Sequence, residues 1–454
     1  MIKITIIGAG SSVFTKNIVT DILLMKEFKN IEFSLMDIDE KRLKTSYKIV
    51  YQISKKLGVS VNIKSTTNRK SALQNSNFVL TCFQVGGYEP STLIDFNIPK
   101  KYGLNQTIAD TIGIGGIMRG LRTIPVLNSI AQDILEYCPN AILLQYVNPM
   151  CINMIALYKK FPELKTIGLC HSVQGTISMI AKDLKEDIKN ISFKCAGINH
   201  MAFYTQLEKK LSDGQTKNLY PDLKKLSKSI LSDQKVSSRT LKKDTESNKY
   251  LHEKVRYEIL NKFGYFVTES SEHFAEYVPW FIKKNNKKLI DQYRIPLNEY
   301  IDRCKNNIIK WENYNKNSKE IINSKIKKSK EYAADIIKAI LTDVDFELNG
   351  NVYNEDLIEN LPNDCVVEVP CTINKKGIKP HKMGKIPIQL AALMQTNINV
   401  QLLTVEAALT KNKEYIYQAA LLDPHTASEL SIKDICNLVD ELLVAHSDYL
   451  PKYN

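Results

Sequence analysis

The segment KITIIGAGSSVF, residues 3–14, is followed by TKNIVTDILLM, residues 15–25, and this stretch decides the fold. Its first half is a β-branched apolar run that ends at Gly8 and Gly10, which is typical of a buried strand followed by a tight turn. Its second half has apolar residues at helical spacing. Gly8 permits the turn, and Gly10 lets backbone N–H groups approach a pyrophosphate at the helix N-terminus. The pattern therefore predicts a strand, a glycine turn and a helix.

An acidic residue follows at the distance that dinucleotide-binding proteins use. The next predicted strand, IEFSLMD at residues 31–37, ends in Asp37, whose carboxylate would bind the adenosine ribose hydroxyls and repel the 2′-phosphate of NADP. Val13 occupies the position of the third glycine of the fingerprint, so the motif is incomplete. We predict an NAD site that contains the residues Gly8, Gly10, Ser11, Ser12 and Asp37.

Further apolar runs continue the same pattern. They read VNIKST, NFVLTCF, AILLQYV and LKTIGLC, and helical stretches lie between them. Continuous apolar strands suit a parallel sheet that is covered on both faces. We predict an α/β fold, with a doubly wound, Rossmann-like sheet similar to that of lactate and malate dehydrogenases over residues 1–200. Residues 201–454 are predicted to form an α+β portion for substrate binding and oligomerisation.

Composition excludes several classes of protein. With 44% hydrophobic and 24% charged residues, the 454-residue chain has the composition of an ordinary globular protein. The net charge of +13 comes largely from Lys-rich stretches near residues 209–250 and 310–330, where acidic and polar residues are interleaved. Arginine runs with interleaved aromatics, which would indicate nucleic-acid binding, do not occur there. We therefore expect solvated lysine faces and no nucleic-acid partner.

The sequence also predicts a protein of the cytoplasm. No segment offers about 20 uncharged apolar residues, so we expect no membrane association. Nine cysteines are scattered without a Cys-x-x-Cys pair, which favours reduced thiols over a disulfide framework.

Chemically active side chains follow several predicted strands. Cys170 and His171 come after LKTIGLC, and Asn199 and His200 come after the strand-like FKCAGI. In open α/β sheets, ligands bind beyond the carboxyl ends of the strands, so we expect Cys170 and His200 to converge. A thiolate and an imidazole are good ligands for a divalent transition metal and leave positions open for substrate. The alternative is a buried apolar cysteine and a structural histidine.

Two further segments carry candidate substrate contacts. QTIADTIGIGGIMRG, residues 106–120, is predicted to be a glycine-rich loop that closes over the substrate and presents Asp110 and Arg119. Asn148, in the pair Asn148-Pro149, resembles the strand-end asparagine of lactate and malate dehydrogenases, which faces nicotinamide and substrate.

A third segment mixes carboxylates with aromatic rings. FGYFVTESSEHFAEYVPWF, residues 263–281, contains Glu269, Glu272, His273 and Glu276. Aromatic surfaces interrupted by carboxylates suit a sugar, because a sugar ring has apolar faces and a hydroxylated edge. An amphipathic element with a charged face is the alternative.

Many short motifs occur together along the chain. They read GAGSSVF, MDIDEKRL, FQVGGYEPST, QTIADTIGIGGIMRGLRTIP, YVNPM, GLCHSVQGT, CAGINHMAFY, GYFVTESSEHFAEYVPWF, LAALMQTNINVQ and DPHTASEL. In this order they resemble the NAD- and manganese-dependent glycosidases of glycoside hydrolase family 4, and within that family the bacterial α-galactosidase branch. The similarity covers nearly the whole chain, and only the two Lys-rich stretches match loosely.

This resemblance implies an enzyme and its cofactors, NAD and Mn2+. The expected activity is hydrolysis of terminal α-D-galactosides of the melibiose type, by an oxidation, elimination, addition and reduction sequence that leaves NAD unchanged. This family is an exception to hydrolysis by two carboxylates. Alternatives are another glycone (an α-galacturonide, an α-glucoside or a 6-phosphoglycoside) and a plain NAD-dependent dehydrogenase.

The resemblance also implies roles for individual residues. Cys170 and His200 match the manganese ligands, Asn148 matches a substrate contact, and His171 falls at the position of the general acid. Asp110 and Arg119 are expected to orient the sugar. The catalytic base is expected among the following residues: Glu269 and Glu272, with Tyr257 and Tyr265 less favoured. Relatives of this kind are typically homodimers or homotetramers.

Overall fold

The computed structural model describes residues 1–28, 30–232, 253–316 and 326–454, so the Lys-rich stretches lie partly outside the described residues. The strands are β1 (Ile2–Ile7), β2 (Ile31–Met36), β3 (Asn62–Thr66), β4 (Phe78–Thr81), β5 (Ile142–Gln145), β6 (Thr166–Gly168), β7 (Ile191–Ile198), β8 (Met201–Lys210), β9 (Thr216–Asn218), β10 (Phe346–Tyr353), β11 (Val366–Asn374) and β12 (Gly377–Pro380).

Helices connect and cover these strands. They are α1 (Ser12–Leu23), α2 (Glu40–Leu57), α3 (Arg69–Leu73), α4 (Leu93–Lys101), α5 (Gly113–Tyr137), α6 (Met150–Lys160), α7 (Ser172–Asp183), α8 (Tyr220–Ser232), α9 (Lys254–Phe263), α10 (Ser271–Glu276), α11 (Lys287–Tyr293), α12 (Glu299–Lys316), α13 (Ala333–Thr342), α14 (Ile388–Thr410), α15 (Glu414–Leu422), α16 (Pro424–Glu429) and α17 (Ile432–Ala445). Among the helices of the described ranges, none is long and apolar enough to cross a membrane.

The first six strands form a parallel sheet in the order β3-β2-β1-β4-β5-β6. This is the strand order of dinucleotide-binding folds, in which the crevice between β1 and β4 receives the cofactor. β2, β4, β5 and β6 are buried along their whole length, as the continuous apolar runs predicted. The predicted Rossmann-like fold is confirmed.

The other strands extend this sheet with antiparallel pairs. β10 and β11 lie between β6 and β7, and each of these two junctions is a single pair of residues. One row therefore crosses the sheet from Gly168 through Asn351 and Glu368 to Gly197. Both portions of the chain contribute to one sheet. The predicted boundary at residue 200 stays a prediction, and it falls in the turn between the paired strands β7 and β8.

The glycine-rich segment 106–120 is shorter as a loop than predicted, because α5 begins at Gly113. Side chains would clash at three of its glycines, Gly115, Gly116 and Gly120. A Cβ at Gly115 would come 2.5 Å from the carbonyl oxygen of Ala109, and one at Gly120 would come 2.8 Å from Ile152. These glycines therefore let the start of a buried helix pack closely against the preceding loop and against α6. Arg119 consequently lies on a helix, while Asp110 lies on the loop.

Candidate functional site

A thiol, an imidazole and a carboxylate meet at one point of the structure. The Sγ of Cys170 lies 3.4 Å from Nε2 of His200, and the same Nε2 lies 3.4 Å from Oε2 of Glu269. One ligand atom from each residue lies within 4.8 Å of the other two, which is a spacing that can hold a metal ion. Sulfur, nitrogen and oxygen donors suit a divalent transition metal. We refer to Cys170, His200 and Glu269 as the metal cluster.

Three separate turns present the metal cluster. Cys170 lies between β6 and α7, His200 lies in the tight turn between β7 and β8, and Glu269 lies two residues before α10. His200 and Glu269 have φ values of +65° and +64°, in the left-handed region that non-glycine residues adopt at a cost of about 1 kcal/mol or more. Residues held in this conformation often serve a functional site, because the surrounding structure must maintain them.

The predicted convergence of Cys170 and His200 occurs, but for a different reason from the one given by the sequence. Three successive antiparallel junctions separate β6 from β7, so β7 does not run parallel to β6. The two residues are therefore not at neighbouring carboxyl ends of a parallel sheet. The single-residue junctions made by β10 and β11 bring the turn that holds His200 to the end of β6.

Hydrogen bonds at Nδ1 hold the His200 ring in place. Nδ1 lies 3.0 Å from the hydroxyl of Tyr277 and 3.4 Å from that of Thr111. A metal-binding histidine usually makes such a bond with its other nitrogen, which fixes the ring and the tautomer. In the tautomer that carries its proton on Nδ1, Nε2 presents a lone pair toward Cys170 and Glu269. The ring therefore suits a metal ligand.

The two ionisable partners of His200 have strongly shifted pKa values. Burial raises the pKa of Cys170 to about 12, and the Glu269 carboxylate adds to this shift. Burial alone would also raise the pKa of Glu269, but His273, His200 and His171 lower it to about 2. A cation at the metal cluster would stabilise the Cys170 thiolate, since metal ligands bind in their deprotonated form.

The three predicted substrate residues lie together. The Asn148 side-chain amide donates to Oδ2 of Asp110 over 3.2 Å, and Nε of Arg119 donates to the Asn148 carbonyl oxygen over 3.2 Å. The Thr111 hydroxyl donates to Oδ1 of Asp110 over 2.8 Å and also faces His200. This polar chain therefore joins Asn148 and Arg119 to the metal cluster.

The predicted base candidates differ in position. Glu269 belongs to the metal cluster, whereas Glu272 forms a 2.6 Å ion pair with Arg303, a residue that also bonds Glu299. The hydroxyl of Tyr257 donates to Asp183 over 2.5 Å within a buried region. Tyr265 packs its ring against Tyr220. Glu269 alone of these four candidates lies against His200.

His171, the predicted acid, lies at the start of α7 beside the metal cluster. Its side chain is about half exposed, and Nδ1 lies 3.6 Å from Oε1 of Glu331. Burial raises the pKa of Glu331, and His171 opposes that shift. The half-exposed ring is accessible to solvent and to a bound molecule. It remains a prediction that His171 acts as the acid.

The predicted cofactor residues follow β1 and β2, next to the crevice between β1 and β4. The Gly10 N–H donates to Oδ2 of Asp37 over 2.7 Å, so this N–H binds the acidic residue instead of pointing into an open site. Within the described residues, the N-cap Ser11 makes no side-chain capping bond, and the first turn of α1 contains no acidic residue. The positive end of the 12-residue helix that begins at Ser12 is therefore available to a phosphate group.

Comparison with known proteins identifies the family. Residues 3–186 match the model of family 4 glycosyl hydrolases, and residues 195–426 match the model of the C-terminal domain of the same family. The chain belongs to glycosyl hydrolase family 4.

Three individual proteins illustrate what the chain is similar to. An alpha-galactosidase of Bacillus subtilis (strain 168) is 48% identical over 456 residues, covering 100% of both chains. The 6-phospho-beta glucosidase of Thermotoga maritima, solved with manganese, NAD+ and glucose-6-phosphate, superimposes with a TM-score of 0.76 at 21% identity and covers 100% of both chains. A malate dehydrogenase of Cryptosporidium parvum matches with a TM-score of 0.51 at 15% identity, over 90% of this chain and 99% of that one. The predicted likeness to dehydrogenase sheets is confirmed.

Several residues at the site of this family 4 chain were not predicted. Tyr277 and Thr111 hold the His200 ring, Tyr300 accepts a 3.2 Å hydrogen bond from Arg119, and Glu331 lies beside His171. Tyr277 and Thr111 are within segments that the sequence singled out, but no periodicity distinguishes them from their neighbours. Glu331 follows a Lys-rich stretch that looked like a solvated surface. Only the folded chain reveals these contacts.

Proposed function

We propose that this protein is an α-galactosidase that uses NAD and Mn2+ to hydrolyse terminal α-D-galactosides. The observation that carries the proposal is the metal cluster of Cys170, His200 and Glu269 on a sheet of the dinucleotide-binding type. A plain hydrolase needs no such sheet, and a plain dehydrogenase of the lactate or malate type needs no such metal cluster. The 48% identity to an alpha-galactosidase over the full length supports the substrate class.

The residues present fit both cofactors. Cys170 and His200 would hold the metal, with Glu269 beside them, and the α1 N-terminus with Gly8, Gly10 and Asp37 would hold NAD. When bound, NAD provides a hydride acceptor and the metal provides a Lewis acid for sugar oxygens. The donor set supports a metal, because it combines a thiol, an imidazole whose second nitrogen is bonded, and a carboxylate.

The chain's own residues would then move protons and orient the sugar. Glu269 would accept the proton from sugar C2 on a carboxylate oxygen, and its lowered pKa keeps that carboxylate ionised at neutral pH. His171 would donate a proton to the oxygen of the leaving group. Asp110 and Asn148 would bind sugar hydroxyls, with Arg119 holding the Asn148 backbone in place.

The charge of the site favours a neutral glycone over a 6-phosphosugar. A phosphate pocket requires an arginine or lysine that can bind the phosphate. Within the described residues, three arginines lie near the site, and each is paired with a carboxylate. Arg119 lies 3.9 Å from Asp110, Arg303 pairs with Glu272 and Glu299, and Arg256 pairs with Glu253. A galactoside, which carries a neutral hydroxymethyl group, requires no further cation.

The cellular setting and the assembly state belong to the same proposal. All nine cysteines lie in the described ranges and are free thiols, which suits the reducing cytoplasm where NAD is available. We propose a homodimer or homotetramer, and the exposed apolar side chains Ile388, Ile432 and Val444 are candidates for its interface. A small-molecule galactoside is the proposed partner, without nucleic acid or membrane.

Reconstitution tests the proposed function. Protein stripped of metal and cofactor is given nitrophenyl α-D-galactoside with Mn2+, NAD+ and a thiol reductant, separately and together. We expect nitrophenol release only with all three, because oxidation of Cys170 would remove a metal ligand. NADH should not accumulate, since the hydride returns to the sugar.

Three other results would contradict parts of the proposal. NADH formed in proportion to substrate would indicate a dehydrogenase. Activity without NAD+ would exclude the redox mechanism. If the complete mixture released no nitrophenol but cleaved an α-galacturonide, an α-glucoside or a 6-phosphoglycoside, the glycone assignment would be wrong.

A further inference from the structure

One buried carboxylate at the site has no place in the proposed chemistry. Glu276 is the last residue of α10, and only 4% of it is exposed. Its two oxygens accept hydrogen bonds from three consecutive backbone N–H groups of the loop before α5. Oε1 accepts from Thr107 and, over 3.0 Å, from Ile108, and Oε2 accepts from Ala109 over 3.0 Å. A buried carboxylate with three backbone partners can fix the conformation of the segment that donates to it.

The anchored segment leads directly into the substrate chain. Ala109, the third donor, has a φ of +53°, a left-handed conformation that a non-glycine residue keeps only when its surroundings enforce it. The next residue, Asp110, bonds Asn148, and Thr111 faces the His200 ring. The bonds to Glu276 therefore determine the direction in which the chain presents Asp110 and Thr111.

We propose that Glu276 is a positioning residue of this enzyme, which acts through the backbone of residues 107–109 to orient Asp110 toward the sugar and Thr111 toward His200. This inference rests on the proposed function, because the orientation matters only if Asp110 binds the substrate. Glu276 touches backbone groups of the loop, not the reacting atoms, so it is not itself catalytic.

The ionised form of Glu276 makes all three bonds. Burial raises the pKa of Glu276 to about 7, although the three N–H groups and His273 oppose this shift. Tyr277, the next residue in the chain, is also ionisable, and burial together with the Glu276 charge raises its pKa. Above this pH the carboxylate accepts from all three donors. Below it, one oxygen carries a proton and accepts more weakly, so the bonds to the loop should weaken as the pH falls through about 7 while Glu276 stays buried.

The variant Glu276→Gln tests this role in the full chain with Mn2+ and NAD+ present. The amide oxygen can still accept from two N–H groups, but the amide NH2 faces the third donor. We expect kcat/KM for nitrophenyl α-D-galactoside to fall about 100-fold, the loss typical of a catalytic group misplaced by about 1 Å. Glu32→Gln, which changes a buried glutamate of β2, is the matched control and should retain wild-type activity.

Amide hydrogen exchange tests whether Glu276 anchors the loop, and the pH profile of kcat/KM tests whether that anchoring affects catalysis. In Glu276→Gln, the amides of residues 107–109 should lose protection while β1, β4 and β5 keep theirs. The acidic limb of the kcat/KM profile near pH 7 should disappear in Glu276→Gln and remain in Glu276→Asp, which keeps the charge. If Glu276→Gln does not fold, exchange in the wild type at pH 6 and pH 8, corrected for intrinsic rates, replaces it.

Two outcomes would overturn the proposal. One is unchanged protection of residues 107–109 in the variant and in the wild type at low pH. The other is lost protection with an unchanged kcat/KM, which would mean that the loop's conformation does not affect catalysis. Exchange needs no substrate, so it tests the anchoring separately from the activity. If the wild type lacks galactosidase activity but Glu276→Gln shows the expected loss of protection, the proposed function is contradicted and the anchoring by Glu276 is supported.

Discussion

The cofactor crevice and the metal cluster lie on the same sheet but are built in opposite ways. In the crevice, the bond between Gly10 and Asp37 joins residues 27 positions apart, within one strand, helix and strand unit. The metal cluster joins Cys170, His200 and Glu269, with β10 and β11 of the C-terminal portion lying between the strands that lead to Cys170 and His200. The crevice is therefore a local structure, whereas the metal cluster requires the whole chain to be folded.

This difference predicts that the two regions respond independently to substitution. The crevice and the metal cluster share no residue and no described hydrogen bond among their named members. Substitutions that are not in contact usually have independent effects. Changes in the metal cluster should therefore alter catalysis or metal binding and leave NAD binding unchanged.

Glu269→Gln should have the largest effect. Removing the carboxylate removes the proposed base, and a positioned base contributes about 10² to 10⁴ in rate. We expect kcat on nitrophenyl α-D-galactoside to fall by that factor while the Kd for NAD+ stays unchanged by fluorescence titration. Solvent deuterium should no longer enter sugar C2.

Two comparisons sharpen this test. Glu272→Gln removes a carboxylate three positions away that pairs with Arg303, and it should lower kcat much less. A loss of Mn2+ binding in Glu269→Gln would mean that Glu269 is mainly a metal ligand. An activity within tenfold of the wild type would exclude Glu269 as the base.

Tyr277→Phe should have an intermediate effect. It removes the 3.0 Å bond to Nδ1 of His200 and leaves the longer contact with Thr111. Loss of such a partner typically weakens metal binding about 10- to 100-fold. Calorimetric titration with Mn2+ should show this loss, with unchanged NAD+ binding.

Tyr265→Phe makes the same chemical change in the same segment and serves as the control. Tyr265 packs against Tyr220, away from the metal cluster, so its substitution should preserve Mn2+ affinity and kcat. A large fall in kcat for this variant would support Tyr265 as the base in place of Glu269.

The sequence predicted the crevice and the parallel sheet well because their determinants are local. An apolar run, glycines and helical spacing appear together within residues 3–25, and Asp37 follows at a characteristic distance. The observed order β3-β2-β1-β4-β5-β6 is the one in which dinucleotide-binding folds reverse direction between β1 and β4.

The metal cluster could be predicted only in part. Cys170 and His200 were selected because they follow strands, but the expected parallel sheet does not bring them together. They are brought together by β10 and β11, which join β6 and β7 through one pair of residues at each junction. The sequence of residues 346–374 contains no pattern that predicts these junctions. Likewise, no pattern predicts that Glu276 anchors residues 107–109, because the two segments are about 170 positions apart and have no common periodicity.

Asp37→Ala, a substitution in the cofactor crevice instead of the metal cluster, should have the smallest effect. Loss of a hydrogen bond to a charged group costs about 1.5 kcal/mol, so we expect NAD+ to bind about tenfold more weakly, with less discrimination against NADP+. Asp39→Ala, two positions away, removes the N-cap of α2 and should lower the free energy of unfolding by about 1 kcal/mol without changing NAD+ binding.

Mn2+ titration of Asp37→Ala then decides whether the two regions are independent. An unchanged Kd for Mn2+ would confirm that the crevice and the metal cluster function separately although they lie on one sheet. If the affinity for Mn2+ fell as much as the affinity for NAD+, the turn at Gly10, which Asp37 also holds, would transmit its conformation to the metal cluster.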